Sequence, residues 1–186
     1  MRSKELMLRI KDIIEDLNNL NETTFAQLSD KLWEMGSLDD IKEKVSEELF
    51  NLHIGINVIG MWKSEGWESI IGEQADFLPY ISKVLQEFEL SELQEAFEDV
   101  ISIFPEETVF RSDNEEYYDI YNFFTTFSHK SQNEKLKEIT SEKRRELVKL
   151  MRQKISLLDE LSENYWNYDL EMEGWKQVVD YINKKV

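Results

Sequence analysis

Apolar residues at Leu6, Ile10, Ile13, Ile14, Leu17 and Leu20 are spaced by threes and fours, which gathers them on one face of a helix instead of on the alternate faces of a strand. This spacing predicts an amphipathic first helix. A second is predicted from Thr24 to Met35, ending at Gly36, the residue type that takes a left-handed cap at little cost. Ser37 and Asp40 resemble the two halves of a capping box. They open a longer helix through Ile41, Val45, Leu49, Leu52, Ile56 and Ile59, which the stretch from Gly60 to Gly72 interrupts. Asp76 and Pro79 are start signals for the next helix, with Ile81, Val84, Leu85 and Phe88 as its apolar face. Ser91 and Gln94 cap another, which holds Leu93, Phe97, Val100 and Ile101 and ends before Pro105; the two are read as antiparallel neighbours. An aromatic helix from Glu115 to Phe127 follows, then a polar loop from Ser128 to Asn133, a long helix over about 134–164 and a last one over about 173–184. No period-two strand, internal repeat or low-complexity segment is found, so the expectation is one all-α domain over 1–186, an array of about eight or nine helices without a sheet.

Composition agrees with a folded chain. Of 186 residues, 41% are apolar and 12% aromatic, with only 6 Gly and 2 Pro, enough to bury a core and too little punctuation for a many-turned β protein. The absence of cysteine removes disulfides, thiolate nucleophiles and cysteine-based zinc sites. Charges are scattered from Arg2 through Glu5, where a signal peptide needs an unbroken apolar stretch, so a cytoplasmic protein is the expectation. The most apolar run, Ile54 to Trp62, is about half the roughly 20 residues of a membrane helix and contains Asn57; no membrane partner is expected.

Charge narrows the function classes further. The chain carries 39 acidic and 22 basic side chains, a net −17, which repels nucleic acid and anionic lipid and attracts basic proteins. The excess is concentrated between Val84 and His129: Glu87, Glu89, Glu92, Glu95, Glu98, Asp99, Glu106, Glu107, Asp113, Glu115, Glu116 and Asp119 stand against the single base Arg111. Glu92, Glu95, Glu98 and Asp99 recur at helical spacing, a row of carboxylates that repel one another by a few tenths of a kcal/mol per pair. Two readings follow. The row is a binding surface, or some of its members pair with the basic segment 134–154, which carries Lys135, Lys137, Lys143, Arg144, Arg145, Lys149, Arg152 and Lys154.

Constellations that carry chemistry are sparse. Neither His53 nor His129 has a glutamate three positions before it, so the pattern of di-iron bundles is missing; His53, between Leu52 and Ile54, reads as a buried or half-buried histidine. Gly55 and Gly60 have the glycine spacing of a phosphate-binding loop, but Met61 and Trp62 follow where lysine and a hydroxyl residue are required. Asp113 to Glu116 lacks the glycine and register of a calcium loop and reads as a helix cap. Tyr117, Tyr118, Tyr121, Phe123, Phe124 and Phe127, with Trp166, Tyr168 and Trp175, read mainly as core, the remainder being interface anchors beside carboxylates. No catalytic residue, metal ligand or cofactor is assigned.

The stretch 48–124 contains a glycine-aromatic turn, Gly66-Trp67-Glu68-Ser69-Ile70-Ile71, then Phe77-Leu78-Pro79-Tyr80-Ile81 opening a helix, and Leu93-Gln94-Glu95-Ala96-Phe97 through Ile103-Phe104-Pro105 closing the next. It resembles the bacterial DNA-mimic-like family of small acidic all-helical proteins. The resemblance implies a non-enzymatic protein that presents carboxylates to the DNA-binding face of a partner, with a homodimer left open. The expectation for function is therefore a non-catalytic protein whose 87–119 carboxylates occupy the basic surface of a partner, without binding nucleic acid itself. An immunity protein that neutralises a basic toxin or nuclease is the alternative, and an enzyme using a carboxylate pair or a carboxylate-bound divalent metal is a further one.

Overall fold

The computed structural model describes residues 7–14 and 16–186. The described residues form ten α-helices and two short 3-10 turns, and extended pairing among them is limited to an isolated bridge between Leu8 and Val45. The helices are α1 (Ile10–Ile13), α2 (Glu22–Trp33), α3 (Leu38–Lys44), α4 (Glu47–Glu73), α5 (Leu78–Glu87), α6 (Ser91–Ile101), α7 (Glu115–Thr125), α8 (Glu134–Lys137), α9 (Ser141–Trp166) and α10 (Lys176–Lys185).

The most apolar helix takes the centre, because a helix that is hydrophobic all round has no face it can give to water. Every residue from Leu49 to Ile56 on α4 is buried, and α2, α5, α9 and α10 pack around it. Beyond this layer α6 packs on both α5 and α9, and α7 packs on α9. Where α4, α6 and α9 meet, Trp67 lies between Phe97 and Trp166 at ring distances of 5.7 and 5.9 Å, and its indole N–H donates to the buried Ser162 hydroxyl at 2.7 Å. Trp67 and Trp166 are among the largest fully buried side chains, so this junction buries a large aromatic area where the three helices meet.

The all-α class holds, but several helices have other limits than their periodicity predicts. Helix in the first segment is confined to Ile10–Ile13; Leu6, part of the expected face, lies outside the described residues. Two hydrogen-bonding alternatives explain the shortening. Leu8 is extended and exchanges backbone bonds with Lys44 (3.2 Å) and Ser46 (2.7 Å), and the Asp16 carboxylate accepts the Asn18 backbone N–H at 2.9 Å, a turn that competes with helix. Ile10, Ile14 and Leu20 still reach the core, while Leu17 is exposed.

The predicted helix from Asp40 to Ile59 is two helices. The capping box at Ser37 and Asp40 forms as expected, but the chain turns extended at Val45 and Ser46, whose hydroxyl accepts the Leu49 N–H and starts α4 afresh. Conversely, the expected interruption from Gly60 to Gly72 shrinks to one residue, Gly66, with φ 77° and ψ −179°, a conformation open to glycine and strained for other residues. Ser91 and Gln94 form no cap. Leu90 occupies that position without a side-chain bond, and Gln94 instead donates to Ser82 (3.2 Å) and Glu98 (2.9 Å). The long basic helix is divided into α8 and α9 by Thr140, whose hydroxyl accepts the Lys143 N–H at 3.2 Å. α10 begins at Lys176, after a left-handed turn over Met172, Glu173 and Gly174.

Candidate functional site

On α6 the apolar stripe of Leu93, Ala96, Phe97 and Val100 is buried, which leaves Glu92, Glu95, Glu98 and Asp99 on the outer face. That face is a ridge between two seams. On the α9 side, the Lys154 ammonium pairs with Asp99 and the Tyr165 hydroxyl reaches Glu92 at 3.4 Å, which sets α6 and α9 antiparallel. On the α5 side, Ser82 and Gln94 both donate to Glu98, and these bonds hold its carboxyl below the usual range. Glu95 sits between the seams, exposed and without an ion pair among the described residues.

The remaining acids of the 87–119 set divide by role. Glu87 and Glu89, at the end of α5, pair with Lys185 (2.8 Å) and Lys184 (2.6 Å), tying the end of α10 to that corner. Glu107 pairs with Lys135, and that contact, chiefly the hydrogen bond, lowers its pKa. Asp113 is held by Arg111 at 3.1 Å, and Arg111 also faces Asp39 at 3.5 Å. Glu115 and Glu116 open α7 beside its Asn114 cap, where carboxylates meet the positive end of the helix; Glu106 is exposed in the loop before it.

Asp119 has a different role from its neighbours. Its carboxylate accepts His129 Nε2 and the Ser131 hydroxyl, both at 2.6 Å, and the backbone N–H groups of Gln132 (3.0 Å) and Asn133 (3.2 Å). Burial opposes its charge, but these donors outweigh burial and hold the carboxyl below its ordinary value. It fastens the loop between α7 and α8. Part of the acidic set therefore pairs with the basic segment, through Asp99 and Glu107, and part with α10; the pairs are largely exposed, so each adds little to stability.

A second feature has no counterpart in the sequence reading. Two open clefts, about 430 Å³ and about 330 Å³, adjoin where Trp33 and Gln74 line both, making one groove across α2, α4 and the start of α5. Trp33 is 37% exposed, and its indole N–H donates to Asn57 Oδ1 at 3.3 Å. The Asn57 amide donates in turn to Ser29 (2.9 Å) and to the His53 carbonyl (2.8 Å). Behind them His53 is fully buried, edge-on to Trp33 at 4.9 Å, and burial lowers its pKa to about 4, so the imidazole is neutral at neutral pH. A Cβ at Gly60, on the groove wall, would meet nothing within 4 Å.

The signal for this groove lies in α4 itself. Asn57, Gly60 and Ser64 recur at helical spacing on a helix whose other faces are apolar, a polar stripe with no bulk. Of the aromatics read mainly as core, Tyr117, Phe123, Phe124, Trp166 and Trp175 are buried, while Phe127 and Tyr168 are exposed. Among the described residues no three of His, Asp and Glu converge as a metal site, and no helix is long and apolar enough to cross a membrane. Compared with known proteins, the chain matches no family model, no curated protein and no solved structure.

Proposed function

We propose that this protein is a non-catalytic binding protein that occupies the basic, nucleic-acid-binding surface of a partner protein, as a DNA mimic does. The observation that carries the reading is the α6 ridge: Glu92, Glu95, Glu98 and Asp99 all face outward, and of these Asp99 is the one in an ion pair among the described residues. Such a ridge raises the encounter rate with a basic surface and disfavours nucleic acid itself. One DNA strand presents a phosphate about every 3.4 Å of axial rise, whereas successive acids on a helix rise by about 4.5–6 Å, so the ridge needs the carboxylates at the start of α7 to approach a phosphate pattern.

The test is capture of partners on the immobilised protein at low and high salt, followed by a competition assay in which the captured protein is offered DNA. The expected result is a basic protein released by salt, whose DNA binding is blocked by this chain and spared by the Glu92→Lys, Glu95→Lys, Glu98→Lys variant. If the captured protein is a nuclease whose cleavage stops, the partner is a toxin and the protein acts in immunity. A partner that binds DNA equally well in the presence of excess protein, or holds on unchanged at high salt, overturns the reading.

A further inference from the structure

We infer that the groove centred on Trp33 is a second contact, a slot for an extended segment of a partner protein that carries arginine or lysine side chains. The inference rests on the proposed function in so far as the partner is a basic protein, but it concerns different residues. Three observations carry it. The first is charge: Glu22, Asp30 and Glu65 line the larger cleft and Asp39 and Asp76 the smaller, whereas among the described residues the one cation lining either is Arg111, already engaged by Asp39 and Asp113. A phosphate-bearing ligand is repelled there and a cation attracted.

The second observation is the aromatic anchor. Trp33 is exposed, yet its indole is fixed by the bond to Asn57 and flanked by His53 and Phe77, so its ring is held in place before any ligand arrives. A guanidinium or ammonium is attracted to such a ring when carboxylates stand beside it. The third is shape. The two clefts share Trp33 and Gln74 in their linings and each falls in the volume range of a ligand pocket, so together they offer room for more than one residue of a partner chain. Gly60 leaves space on the groove wall where a residue with a side chain would project one.

The experiment uses the full chain labelled with ¹⁵N and titrated at low salt with a short capped peptide of alternating glycine and arginine, the matched glycine–glutamate peptide serving as control. The arginine peptide is expected to shift the Trp33 indole resonance and the amides of Gly60 and Gln74, and the control to shift none. Trp33→Ala removes the anchor, but it also leaves Asn57 Oδ1 without its donor, so Gly60→Leu is the cleaner variant: it adds bulk to the groove wall at a helical position whose Cβ meets nothing within 4 Å. With helicity unchanged by circular dichroism, Gly60→Leu should weaken peptide binding by about tenfold or more, equivalent to losing about 1.4 kcal/mol. The Glu92→Lys, Glu95→Lys, Glu98→Lys variant should leave the groove shifts in place. Shifts confined to the 87–119 amides, with Gly60→Leu binding like wild type, overturn the groove and leave the acidic-ridge reading standing. No shift at either place overturns both.

Discussion

His53 is held neutral inside the fold, and this has a measurable effect on stability. Its side chain is fully buried against Trp33, Asn57 Nδ2 lies 3.2 Å from its Nδ1, and its Nε2 has no partner among the described residues. In the folded protein its pKa falls from 6.5 to about 4, so below pH 6.5 the unfolded chain takes up a proton that the folded one refuses. Stability must then fall as the solution is acidified from pH 6.5 towards the folded value and level off beneath it. With the two pKa values in the linkage relation, the loss between pH 7 and pH 4 is about 3 kcal/mol. Protonation of carboxylates overlaps this range, so the quantity to measure is a difference. Urea unfolding of wild type and His53→Leu, followed by tryptophan fluorescence over that interval, should give curves that converge or cross by about 3 kcal/mol as the pH falls. Curves that stay parallel to within about 0.5 kcal/mol would refute the argument, because they would mean that the imidazole reaches water or a partner when it takes a proton.

Other consequences follow from single contacts. Asp159 on α9 accepts both the Trp67 backbone N–H and the Trp62 indole N–H at 3.0 Å, capping α4 where it restarts after Gly66. Asp159→Ala should cost about 2–4 kcal/mol in urea unfolding and Asp159→Asn, which keeps an acceptor, clearly less; equal losses would show that a neutral acceptor cannot replace the carboxylate and that its charge carries the cap. Gly60→Ala should raise stability by about 0.5–1 kcal/mol, since the added methyl meets nothing within 4 Å and a glycine is removed from the helix interior; a loss would show that the methyl meets the groove wall. For Asp119 the folded pKa lies below the unfolded value near 3.8, so its contribution is complete above that pH and is lost as pH falls through the folded value. Asp119→Ala should therefore lower stability at neutral pH, raise hydrogen exchange in 128–133 and flatten the acid limb; unchanged exchange in that loop would remove its role as a fastener.

The sequence by itself determined the helical class, most helix starts and the core. Threes-and-fours periodicity and local caps such as Ser37 with Asp40 are decided within a turn or two of chain, where spacing in sequence is spacing in space. It also placed Glu92, Glu95, Glu98 and Asp99 outward, because their positions complement the apolar stripe of α6. Tertiary structure decided what depends on residues far apart in the chain. The first helix is cut short by Leu8 pairing beside Val45, and the break in α4 is narrowed to Gly66 because Asp159, ninety-two residues from Trp67, supplies the cap that reopens the helix. Likewise Lys154, Lys184 and Lys185 select which acids are paired and which stay bare, and Trp33, Gly60 and Gln74 become one groove only when α2 is laid against α4. Local free energies fix the form of each helix, whereas grooves and ion pairs arise from the docking of faces, which no short window of sequence contains.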